Sequence, residues 1–253
     1  MRIAVAGGTG LVGRFIVDEV RAAGHQPVVI ARSAGVDILT GAGLDAALDG
    51  APVVIDVSNT TAMRRPAATA FFETGTRNLL AAGQRAGVAH HVLLSIVGID
   101  RLRMGYYAAK LDQEALVRGS GVPFSIMRAT QFHEFVPELL ARVPGPVVAM
   151  PRMRVQPVAA REVAAALVAL ATGPPVGTAP DIAGPEQLDL AGLARRVLRA
   201  RGRRRLMLSF RLPGAAGRAM AGGALLATGP GLRGQQTFGE WLAGQAAPAA
   251  SLA

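Results

Sequence analysis

The sequence predicts an α/β fold with a doubly wound parallel sheet, and three observations predict it. Short apolar runs alternate with segments of helical spacing from the first residues to about residue 128. Those runs are apolar throughout rather than alternating with polar residues, which is the pattern of strands covered on both faces. The first run ends in a cluster of glycines that opens directly into the first helical segment. Repeated strand–helix–strand units build a parallel sheet with right-handed crossovers.

Residues 2–6 (RIAVA) form the first predicted strand, and residues 11–23 carry helical spacing through Leu11, Phe15, Ile16 and Val20, with Gly24 as a stop. Residues 27–31 (PVVIA) and 52–57 (PVVIDV) are the next strands, separated by a short helix at 43–48. A long helix follows over 66–86, then strand 91–97 (HVLLSIV), helix 106–118 and strand 123–128 (PFSIMR). Past residue 130 the rhythm loosens. Helices are expected at 134–142, 161–171, 190–200 and 235–242, with extended pieces at 147–150, 155–158 and 206–210. Proline and glycine clusters at 144–146, 173–175 and 229–231 mark loops. We expect residues 1–130 to form the nucleotide-binding part and 131–253 a smaller substrate lobe packed intimately on it.

Composition narrows the function classes. The chain has 253 residues, 51% of them hydrophobic, enough for one sizeable core. With no cysteine there are no disulfides and no thiolate metal sites, and a reducing, cytoplasmic setting is expected. No apolar run reaches the ~18–20 residues of a membrane span. The net charge is +10, carried almost entirely by arginine. Nucleic acid is not expected as a partner, because none of the nucleic-acid motifs is present. The cluster Arg195–Arg205 has solvated charge as its default role and an acidic partner surface as its alternative. A homo-oligomer stays open.

The glycine loop Gly7-Gly8-Thr9-Gly10-Leu11-Val12-Gly13 satisfies G-x-G-x-x-G through Gly8, Gly10 and Gly13, and G-x-x-G-x-x-G through Gly7, Gly10 and Gly13. Glycines allow the tight turn and let backbone approach a pyrophosphate, and the free amides of the helix start bind the anion. The strand–loop–helix context makes this a Rossmann dinucleotide site. An NAD-preferring site usually places a carboxylate at the end of the second strand, about 20 residues past the loop. Here the residues are Ala31-Arg32-Ser33. A guanidinium pairs bidentately with phosphate and Ser33 can add a hydroxyl, so NADP(H) is expected.

Lys110 is the single lysine of the chain, and Tyr106 and Tyr107 are its two tyrosines. Tyr106 and Lys110, at i and i+4, share a helical face. A neighbouring ammonium is expected to lower the phenol's pKa, and such a Tyr can protonate a carbonyl oxygen as hydride reaches carbon. The preceding strand supplies Ser95.

With GGTGLVG, Arg32, the LLSIVG strand (93–98), YYAAK (106–110) and RATQFH (128–133), the chain resembles atypical short-chain dehydrogenases/reductases, in particular the NmrA-like, NAD(P)H-binding branch. The likeness covers most of residues 1–170. It implies that the loop from Gly7 to Gly13 holds pyrophosphate, that Arg32 reads a 2′-phosphate, that Asp37 and Ile38 flank adenine, and that Val57, Ser58 and Asn59 lie beside the ribose. It also implies Tyr106 as acid/base, Lys110 as its electrostatic and ribose partner, and Ser95 as a helper. One departure matters. Where many members carry a serine pair, this chain reads Ser95-Ile96. The expected function is NADP(H)-dependent oxidoreduction of a small, mostly apolar carbonyl, quinone or related substrate. The alternative is a catalytically silent NADP(H) sensor, a type the branch includes.

His133 and Glu134 follow a strand end and could meet substrate, although a loop or helix-start role is the simpler expectation. His90-His91 is expected in a loop and lacks carboxylates at ligand spacing, so no metal site is expected. Met104, Met127, Met150, Met153 and Phe132 could line a substrate wall or simply fill the core.

Overall fold

The computed structural model describes residues 1–102 and 104–246. From the N-terminus the elements are β1 (Arg2–Ala6), α1 (Leu11–Ala22), β2 (Gln26–Ile30), α2 (Leu44–Leu48), β3 (Val53–Asp56), α3 (Arg65–Arg85), β4 (His90–Ile96), α4 (Gly105–Arg118) and β5 (Phe124–Ala129). Each falls within a few residues of its expected place. Then come α5 (Phe135–Ala141), β6 (Val147–Pro151), β7 (Arg154–Val155), α6 (Ala160–Thr172), β8 (Gly177–Thr178), β9 (Asp181–Ala183), β10 (Leu188–Asp189), α7 (Leu190–Ala200), β11 (Leu206–Phe210), α8 (Gly214–Ala221), β12 (Gly231–Arg233) and α9 (Phe238–Ala246). The packing divides the chain into two compact units. One comprises Met1–Ala129 with Ala160–Pro180, the other Thr130–Ala159 and the residues from Asp181 onward.

In the first unit the strands run in the order β2-β1-β3-β4-β5, with β8 beside β5, and all pairs are parallel. The chain steps outward from β1 to β2, then returns to place β3 on the other side of β1. That reversal puts a crevice beyond the carboxyl ends of β1 and β3, where parallel α/β sheets bind ligands. The two faces of the sheet bury alternate residues. Ala4, Ala6, Val54, Leu93 and Ile126 join one core with Leu44, Leu48, Leu79 and Val117 from α2, α3 and α4. The intervening Ile3, Val5 and Val92 are equally buried and point the other way. Helices α1 and α6 pair with each other, as do α3 and α4, so each face has its own helical cover. The spacing of α1 fits this role, with Val12, Ile16, Val17 and Val20 buried along one stripe. These features are those of a doubly wound α/β fold.

In the second unit β6 and β11 form a parallel pair, β7 and β10 an antiparallel pair, and β9 pairs with β12 in parallel. Residues 155–158 are only partly strand, because β7 ends at Val155 and Val158 makes an isolated bridge to Phe132. Strands β8, β9, β10 and β12 leave no mark in the sequence, because two or three residues are too few for a period to show. Helix α8 was equally unforeseen, since its glycine- and alanine-rich run carries no apolar stripe.

One local expectation is corrected. His90 and His91 are not in a loop but open β4, 3% and 1% exposed. The His90 Nε2 lies 2.8 Å from the Ser125 hydroxyl, on the neighbouring strand. Burial lowers the pKa of both imidazoles. Among the described residues there is no cluster of His, Cys, Asp or Glu that could hold a metal. Nor is any helix among them long and apolar enough to cross a membrane.

Candidate active site

The glycine loop lies at the β1/β3 reversal, and its glycines are required by contacts rather than by flexibility alone. Gly7 has φ 81°, and a Cβ there would sit 2.9 Å from the Val57 carbonyl oxygen and 3.0 Å from Ser58 Cα. A Cβ on Gly13 would lie 2.1 Å from the Gly7 carbonyl oxygen. The loop is thereby pressed against both the β3 end and the first turn of α1. That turn is left open at its positive end. Gly10 caps it without a side chain, and no acidic residue occupies it. The amides of Leu11, Val12 and Gly13 therefore face an anion site that the protein does not fill itself. Thr9 and Gly10 are exposed at the tip of the turn. The cradle fits a dinucleotide pyrophosphate.

Beyond β2, Arg32 and Ser33 begin a 3-10 turn (Arg32–Ala34). Arg32 is exposed and has no carboxylate partner among the described residues. Asp37 is committed to its own turn, its carboxylate accepting from the Leu39 amide at 2.8 Å. Ile38 packs over Gly75 of α3, where a Cβ would come within 2.9 Å of its Cδ1. The Asn78 amide holds the Ile38 and Leu39 carbonyls at 2.9 and 3.0 Å. These bonds tie the segment after Arg32 to α3.

The third cluster joins β3, β4 and α4. The Tyr106 hydroxyl donates to the Asn59 carbonyl oxygen at 2.7 Å, so two residues 47 apart in sequence meet at one point. The Tyr106 ring stands edge-on to Phe72 and Tyr107. Lys110, 4% exposed, turns inward. Its ammonium donates to the Leu94 carbonyl at 2.9 Å and to Gln113 Oε1 at 2.6 Å, and lies 4.9 Å above the Phe72 ring centre. Gln113 passes the contact on, donating to Asp56 Oδ2 at 3.1 Å and to the Thr76 hydroxyl at 3.0 Å. Asp56 Oδ1 accepts from the Ser58 amide at 2.9 Å and so shapes the β3 turn beside Gly7. The result is a buried relay from Lys110 through Gln113 and Asp56 to the loop crossing point.

This geometry corrects the expected electrostatics of the Tyr–Lys pair. The Tyr106 pKa is raised, not lowered. Burial is the main cause and Tyr107 adds to it, while the Asn59 hydrogen bond opposes it. The ammonium that was to stabilise a phenolate is spent on Leu94 and Gln113. Lys110 itself is pulled down to about 8 by desolvation, against the opposing pull of Asp56 and Glu114.

Ser95 is buried and its hydroxyl sits beside the Glu114 carboxylate. Glu114 is clamped by Arg128, with Nε to Oε1 at 2.8 Å and Nη2 to Oε2 at 2.9 Å, and Arg118 adds a bond at 3.1 Å. Burial alone would raise this carboxyl. The Arg128 and Arg118 hydrogen bonds, with the Ser95 hydroxyl nearby, together hold it below the ordinary range. The structure thus brings Tyr106 to Asn59 and sends Lys110 to Gln113, while Ser95 joins a separate charge cluster. Sequence reasoning missed Asp56, Gln113, Glu114 and Arg128. The acid that ends the apolar run VVID is the one signal that could have drawn attention.

His133 is fully buried in the second unit, between the rings of Phe238 and Trp241, with its Nε2 3.1 Å from the Gln236 carbonyl. Met127, Met150 and Met153 are buried as well, whereas Met104 is exposed.

Residues 7–174 match the family described as NAD(P)H-binding. Over 162 residues the chain is 30% identical to the chloroplastic divinyl chlorophyllide a 8-vinyl-reductase of Cucumis sativus, across 51% of this chain and 38% of that protein. The match therefore spans well under half the length of that relative. The triphenylmethane reductase of a Citrobacter species, solved in complex with NADP(H), superposes with a TM-score of 0.73 at 18% identity, covering 98% of this chain and 100% of that one. An Escherichia coli NADPH-dependent quinone oxidoreductase complexed with NADPH superposes with a TM-score of 0.72 at 18% identity, covering 96% and 99%. At such identities these likenesses speak for the fold. By its glycine cradle, its α/β frame and the family match over two thirds of its length, the chain belongs to the NAD(P)H-binding family.

Proposed function

We propose that the protein is an NADP(H)-dependent oxidoreductase acting on a small, mostly apolar carbonyl, quinone or related acceptor. The observation that carries the reading is the open cradle at Gly7–Gly13 together with Arg32, which follows β2 without a carboxylate partner among the described residues. In this reading the amides of Leu11, Val12 and Gly13 hold the pyrophosphate, Arg32 and Ser33 the 2′-phosphate, Asp37 and Ile38 the adenine, and Val57 to Asn59 the ribose. A bound reduced nicotinamide supplies the hydride.

Tyr106 then serves as an acid. Its raised pKa keeps the proton on the phenol at neutral pH, where it can be donated to oxygen as charge develops there. Asn59 orients the hydroxyl. Lys110 holds Gln113 and the Leu94 carbonyl, and so fixes α4 against β4 with a positive charge behind the tyrosine. Ser95 supports Glu114 in this scheme and is given no role at the acceptor. A vinyl reductase, a triphenylmethane reductase and a quinone oxidoreductase among the similar proteins support reduction over silent sensing.

The test follows NADPH oxidation across quinones, triphenylmethane dyes and apolar carbonyls. Tyr106→Phe should lower kcat by about 10²–10⁴-fold, the usual contribution of a positioned proton donor, and leave NADPH affinity unchanged. Tight NADPH binding with no turnover on any acceptor would refute the enzymatic reading.

A further inference from the structure

The second unit contains a cavity of about 550 Å³ lined by Arg152, Arg154, Arg195, Arg211 and Arg218. Its single carboxylate, Asp189, is already occupied in accepting from the Gly192 amide at 2.8 Å to cap α7. Among the described residues none of the five guanidiniums is in an ion pair, and only Arg154 has a side-chain partner, the Gln187 amide oxygen at 3.0 Å.

The five are far apart in sequence, and the fold gathers them. Strands β6 and β11 are parallel and in register through Phe210 and Pro151. The Arg152 amide donates to the Phe210 carbonyl at 2.8 Å, so Arg152 and Arg211 leave the carboxyl ends of the two strands side by side. Carboxyl ends of parallel strands are where α/β sheets place ligands. Helix α7 packs on this pair and contributes Arg195, and α8 contributes Arg218. The platform is rigid at the turn into α8, where a Cβ on Gly217 would lie 1.9 Å from the Leu212 carbonyl oxygen. Met153, Leu212 and Ala221 add apolar surface. The second unit holds thirteen of the 27 cations but only six of the 17 acidic residues, so its field favours an anion here.

We propose that this cavity binds a compact polyanion carrying two or more phosphate or carboxylate groups. Guanidinium forks match both groups bidentately, and five of them exceed what one monoanion engages. The volume lies within the ~300–1,000 Å³ of small-molecule sites. The site is independent of the glycine cradle, which belongs to the first unit.

Calorimetric titration with pyrophosphate and with citrate tests it, at ionic strength held constant with sodium chloride. Saturating NADPH occupies the cradle during the titration; should NADPH not bind, the same titration runs without it, and the cavity is judged on its own. We expect one saturable site per chain. Affinity should fall by about tenfold in Arg211→Gln and further in Arg152→Gln/Arg211→Gln, because each removes a charge-assisted bond. NADPH affinity should be unchanged in both, and Arg21→Gln, a surface control, should behave as the parent protein. Tighter pyrophosphate assigns phosphate groups to the ligand; tighter citrate assigns carboxylates. Unsaturable heats, or equal affinity in the parent and the double variant, would overturn the proposal.

Discussion

Arg32 and Lys110 show how differently two cations can act. Arg32 is exposed just past the end of β2 with no carboxylate among the described residues to neutralise it, so its charge is available to a ligand. Arg32→Gln should weaken NADPH binding by about 10–100-fold, since a charge-assisted bidentate contact is worth roughly 1.5–3 kcal/mol, while NADH affinity stays the same. Fluorescence titration with both coenzymes checks this, and an equal loss for both would remove Arg32 from the 2′-phosphate. Lys110 is buried, and its pKa of about 8 lies below the ordinary 10.5. Below pH 8 the folded and unfolded chains both carry the proton, and the full cost of burying the charge is present. Between pH 8 and 10.5 only the unfolded chain keeps it, so stability rises with pH through this window. Urea unfolding at pH 7.5 and 9.5 should show that rise, and Lys110→Met should abolish it. If Lys110 is needed charged, activity should fall as pH climbs past about 8.

At the scale of elements, α1 can start where it does only because Gly13 has no side chain. Gly13→Ala puts a methyl 2.1 Å from the Gly7 carbonyl oxygen, a backbone atom with no easy retreat. The helix must shift from the loop, at a cost of about 1–3 kcal/mol for overpacking, and its amides then miss the anion. A lower thermal midpoint together with lost NADPH binding is the expected outcome; unchanged binding would show that the loop tolerates the methyl. The elements themselves were largely readable. The apolar runs of β1, β3, β4 and β5 are buried on both faces, the edge strand β2 is buried only at Ile30, and the stripe of α1 matches its core contacts. What escaped was short or lacked a period. His90 and His91 read as a polar pair, yet they open a central strand with both rings buried and His90 within hydrogen-bond reach of Ser125.

For the whole molecule, a ligand that binds only the folded chain stabilises it by mass action. NADPH at 100 times its Kd should add about 2.7 kcal/mol, which for a chain of this size raises the melting midpoint by roughly 5–10 °C. Differential scanning fluorimetry measures it, and NADH at the same concentration should give a smaller shift. Equal shifts from the two coenzymes would contradict the preference argued from Arg32.

The amino-acid order alone determined the α/β class, the glycine cradle and the guanidinium after the second strand, because each depends on neighbours along the chain: a period, a turn, a helix start. It could not decide what Tyr106 and Lys110 do to each other. That depended on Asn59, Leu94 and Gln113, which folding brings to them from other elements and which take up their hydrogen bonds. Nor could it reveal the arginine-lined cavity, because residues from 152 to 218 become neighbours only when β6 and β11 pair. Burial and long-range hydrogen bonding set proton affinity and charge density, and both are properties of the packed chain.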